Sequence, residues 1–211
     1  MDRTLFEQDL KSIFDKNFEK YSEYFSYEFK IFFELRTTTF EITKCLILTL
    51  DKAVITLTNH LLERLLKLAL INDEIGLGTV PVEKWDSVFG DADAKFGSKN
   101  LSLSIDLCKK HDLITEAEKD FLHNYVRELM RNGFSHGDSS KILVSVPDKS
   151  IGLMGCLDEP LELKQFEFSQ KLFPALQSAL IDDFAKLNAP FYFKFVFDLI
   201  AKIENKLIEK G

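Results

Sequence analysis

The chain has 211 residues with 45% hydrophobic content, enough for one sizeable core. Its net charge of -7 excludes a protein that coats nucleic acid over its whole surface, while leaving room for a local basic groove. Three scattered cysteines without a Cys-x-x-Cys pair read as reduced thiols of a cytoplasmic protein, and no stretch reads as a signal peptide or membrane span.

Residues 3 to 35 predict one long helix. Phe6, Leu10, Phe14, Phe18, Tyr21, Phe25, Phe29 and Phe32 recur at steps of three and four, with no Gly or Pro between them. Thr37 to Thr39 predict a turn, and a second long helix is expected from Phe40 to Leu70. In that helix His60 and Glu63 lie one turn apart, a spacing repeated by Asp120 and His123. The pairs lack the further carboxylates of a dinuclear metal bundle, so surface side chains are expected and no metal site. Residues 71 to 100 are punctuated by glycines and Pro81. A short helix over Pro81 to Phe89 is expected there, with Trp85 packing back on the bundle.

Leu101 to His111 predicts a short helix. The next stretch, Thr115 to Asp138, gathers most of the groups able to do chemistry. Thr115 and Glu118 make a Thr-x-x-Glu capping box. Phe121, Leu122, Tyr125, Val126, Leu129 and Met130 form its apolar face, with His123, Arg127 and Arg131 expected on the opposite one. Gly133 is expected to end the helix in a left-handed conformation. The ending matters, because on an ideal helix Arg131 and His136 would diverge by roughly 140°, whereas a turn at Gly133 brings His136 back.

Arginine and histidine are the types that metal-free attack on an RNA phosphodiester requires. Histidine exchanges protons near neutral pH, and arginine holds phosphate oxygens bidentately. Arg127, His123 and Lys141 are candidates to bind neighbouring phosphates. On the residues alone an ordinary reading stands beside this one: Arg131 compensates the helix dipole and His136 sits in a loop.

After Asp138 the pattern changes. Ile142 to Val146 predicts a strand, Pro147 and Asp148 a turn, Ile151 to Cys156 a returning strand, and Leu161 to Phe168 a third extended piece. Two helices follow, Ser169 to Leu187 and one capped by Asn188 with Pro190 in its first turn. The expected fold is mainly α, an antiparallel helical bundle with a small β-hairpin insertion after the motif helix. It forms one domain over 1–211, with a core at 40–138, a β/loop insertion at 139–165 and a C-terminal helical pair at 166–211.

Arg131-Asn132-Gly133-Phe134-Ser135-His136 resembles the Arg-polar-x-x-x-His motif of the HEPN family, and the helices leading into it are similar over residues 40 to 138. The resemblance implies an all-α bundle that forms a homodimer, with two copies of the motif facing each other. It implies a metal-independent endoribonuclease of toxin–antitoxin, defence or RNA-processing systems, needing no cofactor. Arg131 and His136 would be catalytic and Asn132 would orient the site. The implied partners are RNA or a nucleotide, and an antitoxin or regulatory protein. The alternative is a non-catalytic module of the same family that binds a nucleotide, RNA or protein. Asp138 stands where one toxin branch carries a modified tyrosine, so regulation by that route is not expected.

Overall fold

In a computed structural model of the chain, residues 2–135, 139–154 and 164–211 are described. The molecule is mainly helical with one small antiparallel hairpin. Its centre is α3 (Asp51–Ile75), whose Val54, Ile55, Leu61, Leu62, Leu65, Leu66, Ala69 and Leu70 are fully buried. A helix so apolar around its circumference has to be enclosed by others. The long C-terminal α8 (Pro174–Lys210) lies along it in parallel, as Lys52–Asp182, Asn59–Tyr192 and Asp73–Lys210 contacts succeed one another. α2 (Arg36–Ile47), α4 (Trp85–Phe96), α5 (Leu101–Lys110) and the helix that begins at Glu116 complete the enclosure.

The N-terminal reading of one helix to residue 35 is corrected. α1 (Arg3–Tyr21) stops, a 3-10 turn covers Ser22–Ser26, and a second turn at Phe33–Leu35 leads into α2. The cause is tertiary. Tyr24 packs edge-on against Phe193 and Phe197 of α8, with ring centroids 4.9 and 4.7 Å away. Next to it the buried Glu204 carboxylate accepts the backbone N–H groups of Lys30, Ile31 and Phe32 at 2.9, 2.8 and 3.0 Å, and the Tyr27 hydroxyl at 2.8 Å. An α-helix would have spent those amides on its own carbonyls.

The predicted helix from Phe40 to Leu70 is two helices, α2 and α3. Thr37 to Thr39 lie inside α2 instead of marking a turn, and Thr39 and Thr43 bond back to the carbonyls four residues earlier at 3.0 and 2.8 Å. The break falls at Leu48–Leu50, with Thr49 at φ 55° and Leu50 N donating to the Cys45 carbonyl at 2.8 Å. The C-terminal pair is a single helix. Pro190 sits within α8, and Asn188 is not a cap: its amide donates to the Phe184 carbonyl at 2.7 Å and accepts the Tyr125 hydroxyl at 2.5 Å.

Two smaller expectations also change. Trp85 opens α4 but stays 51% exposed, its indole N–H bonded to the Val80 carbonyl. The segment expected as a strand at Ile142 to Val146 is helical, α7 (Ser139–Ile142) and a 3-10 turn over Leu143–Ser145. The hairpin instead joins β1 (Ser150–Met154) to β2 (Lys164–Phe168), so the last extended piece is the partner of the strand expected at Ile151 to Cys156.

Candidate functional site

The motif helix opens as the sequence predicts. Thr115 Oγ1 accepts the Glu118 amide at 3.3 Å, and Glu118 accepts the Thr115 amide at 2.7 Å. Lys202 of α8 donates to the other Glu118 oxygen at 2.5 Å, which anchors this end. Burial works to raise the Glu118 pKa, but the Lys202 and Thr115 hydrogen bonds outweigh it and hold the carboxyl below its usual range.

After one α-helical turn and a half, α6 (Glu116–Phe121), the backbone continues as a π-helix over Leu122–Ser135. Such segments are rare and gather at functional sites. The wider coil moves the buried stripe to steps of four: Leu122, Val126 and Met130 are fully buried, while Leu129 is half-buried. The neighbouring column, His123, Arg127 and Arg131, is therefore not opposite the core. It runs along the seam with α5 and α3. His123 Nε2 meets Asp106 at 3.0 Å, Arg127 Nη1 donates to Ser102 Oγ at 3.0 Å, and Arg131 Nε meets Glu63 at 2.6 Å. Asp106 and Ser102 stand four apart on α5, antiparallel to the π-helix, so the two columns interlock.

Gly133 remains helical and has no positive φ. The approach there is close: a Cβ would lie 3.2 Å from Ile142 Cγ1 and 3.3 Å from Lys141 Cβ. The expected left-handed turn is thus replaced by a helix on which α7 folds back.

Arg131 stands on a hydrogen-bonded junction. The carbonyl of Met130 accepts the Asn59 amide at 3.0 Å, and Asn59 Oδ1 accepts the Tyr192 hydroxyl at 2.8 Å. Three helices meet there, α3, α8 and the π-helix. Burial first, and then the Glu63 carboxylate, push the Tyr192 phenol well up, so it remains a donor.

A second cluster surrounds Glu128. Its Oε1 accepts Arg127 Nε and Nη2 at 3.1 and 2.9 Å and Asn132 Nδ2 at 3.5 Å, and its Oε2 accepts Lys141 Nζ at 2.5 Å. Lys141 and then Arg127 hold the Glu128 carboxyl below its usual range. So the structure brings Arg127, Asn132 and Lys141 together around one carboxylate, and places Arg131 beside Glu63 and His123 beside Asp106. His136 and Asp138 lie outside the described residues.

Sequence reasoning missed Glu128, Asn59 and Tyr192, and weighed Glu63 only as half of a metal pair. The signal for Glu128 is local: a carboxylate next to Arg127 and four residues before Asn132. Nothing local marks Tyr192. His60 is exposed on α3, whereas Glu63 is spent on Arg131. Among the described residues no three His, Cys, Asp or Glu side chains gather as metal ligands. No described helix is long and apolar enough to cross a membrane.

No model of a known family, no curated protein and no solved structure matches this chain.

Proposed function

We propose that the chain is a metal-independent endoribonuclease of the HEPN type, acting as a dimer, with Arg131 and His136 as its catalytic pair and Asn132 as the orienting amide. What supports this reading most is the setting of Arg131. A guanidinium at the end of a long π-helix is held at 2.6 Å by Glu63, over a junction tied by Asn59 and Tyr192. Glu63 meets Nε, and the two Nη groups are the fork that takes a phosphate. In the reaction His136 accepts the proton of a ribose hydroxyl, whose oxygen attacks the adjacent phosphorus. The bond to the leaving oxygen breaks as that oxygen takes a proton from water, and Arg131 neutralises the charge that builds on the phosphoryl oxygens. Arg127, His123 and Lys141 hold flanking phosphates, and a place in a toxin–antitoxin or defence system, with an antitoxin as partner, belongs to the same proposal.

The test is RNA cleavage in EDTA by the wild type beside Arg131→Ala and His136→Ala. Cleavage by the wild type, with a loss of at least about 100-fold in each variant, is expected. A folded wild type that leaves RNA intact between pH 5 and 8 overturns the proposal. One observation favours a second reading, a non-catalytic module for a nucleotide, RNA or protein: Glu128 already neutralises Arg127 and Lys141. Binding without cleavage would select it.

A further inference from the structure

The first half of α1 is largely exposed, with Leu10 and Ile13 half-buried. Among the described residues its inner face meets the bundle near its end, where Asn17 donates to the Ile47 carbonyl at 3.1 Å and Tyr21 is buried. Toward the N-terminus the same face continues as Phe14, Leu10 and Phe6, at steps of four. Phe14 and Phe6 remain 42% and 46% exposed. A helical piece of this length is marginal on its own in water, where isolated helices under about 12–15 residues rarely hold. Among the described residues its side-chain ties are internal: Asp2 caps Thr4 N, and Arg3–Glu7 and Lys11–Asp15 pair along the helix.

We infer that residues 3–14 pair antiparallel with the same helix of a second copy, about a two-fold axis at Leu10. This register sets Phe6 of one copy against Phe14 of the other and Leu10 against Leu10. Glu7 and Lys11 flank the stripe on one side, and the two-fold lays each Glu7 alongside the other copy's Lys11. The face is thus complementary to itself in shape and in charge, as an isologous interface requires. Arg3, Lys11, Lys16 and Lys20 balance Glu7, Asp9, Asp15 and Glu19 along α1, which suits neither an anionic membrane nor nucleic acid, since both select a basic face. The pairing is short and falls at the small end of interface areas, so association is concentration-dependent. It does not rest on the nuclease reading, whose dimer joins the motif ends.

The experiment places a cysteine on the proposed axis. Leu10→Cys, mildly oxidised, is expected to give a reducible dimer band well above that of the wild type, whereas Ser12→Cys on the outer face gives none above it. In analytical ultracentrifugation Phe6→Glu is expected to weaken self-association at least about ten-fold, without a change in circular dichroism. Equal cross-linking of Leu10→Cys and Ser12→Cys overturns the inference. So does a wild type that stays monomeric up to about 200 μM, or a Phe6→Glu variant that associates like the wild type.

Discussion

Glu204 and Glu128 each draw four donor groups, yet they do opposite things. Glu204 is fully buried and its donors are three backbone amides and a tyrosine hydroxyl, all neutral and fixed by the fold. Glu128 is about a third exposed and takes two cations and an amide, all carried on side chains. Taking the acceptor from the first strips three consecutive backbone N–H groups of their partner, among them that of the fully buried Phe32. Taking it from the second leaves cations that water can solvate, or that a phosphate can occupy. The same residue type is therefore architecture at one place and a replaceable ligand at the other, and the burial of the carboxylate and the backbone origin of its donors make the difference.

The comparison breaks first at Glu204. Glu204→Ala is expected to cost about 3 kcal/mol or more, lowering Tm by roughly 6–12 °C for a chain of this size. Amide exchange at Lys30 to Phe32 should accelerate with it. A Tm within 2 °C of wild type, roughly the effect of a surface change, would show that the carboxylate is not what pins this segment.

Acid should reach Asp73 and Glu118 in the same way. At Asp73 burial acts to raise the pKa, but the hydrogen bonds from Lys210 and His111 prevail and lower it. Both carboxyls therefore bind protons more weakly folded than unfolded. They contribute stability above the ordinary carboxylate range near about 4, and that contribution is lost as pH falls through their lower native values. A melting series from neutral pH to about pH 3 should show the loss, and Asp73→Asn should flatten it. An unchanged slope in that variant would assign the acid sensitivity elsewhere.

Tyr192→Phe sharpens the picture at the junction under Arg131. Losing the hydroxyl that Asn59 accepts should cost about 1 kcal/mol, read by thermal melting. RNA cleavage should fall further than the stability change explains, because Arg131 would lose its support. Full activity in that variant would separate the junction from the site.

The smallest stability effect belongs to Glu128→Gln, within about 0.5 kcal/mol. Its effect on RNA should be the larger one: tighter binding and a steeper dependence on salt, as Arg127 and Lys141 become available to phosphates. Weaker binding would mean that Glu128 orients those cations instead of competing for them.

Much of the chain was legible from period and capping. The helix α5, the capping box at Thr115 and Glu118, and the mainly helical fold with a small hairpin all follow from local rules, because each depends on residues within a turn or two of one another. Arg131 was singled out by type and spacing and Asn132 through the resemblance; Arg131 lies beside Glu63 and Asn132 beside Glu128. The elements that differ are those where a distant partner outbids local preference. The aromatic run after Tyr21 looks helical until Glu204 claims its amides from 172 to 174 residues away. Asn188 and Pro190 read as a helix start until Tyr125 takes the asparagine and α8 runs through. Gly133 reads as a terminus because glycine permits one, while in the fold it stays helical with Lys141 and Ile142 packed close against it. The sequence by itself determined a helical chain with one face of each helix apolar and a cluster of polar groups at 127–136. Only the tertiary structure decided which of those groups meet, since the partners of His123, Arg127 and Arg131 stand on α5 and α3, and no local period encodes that pairing.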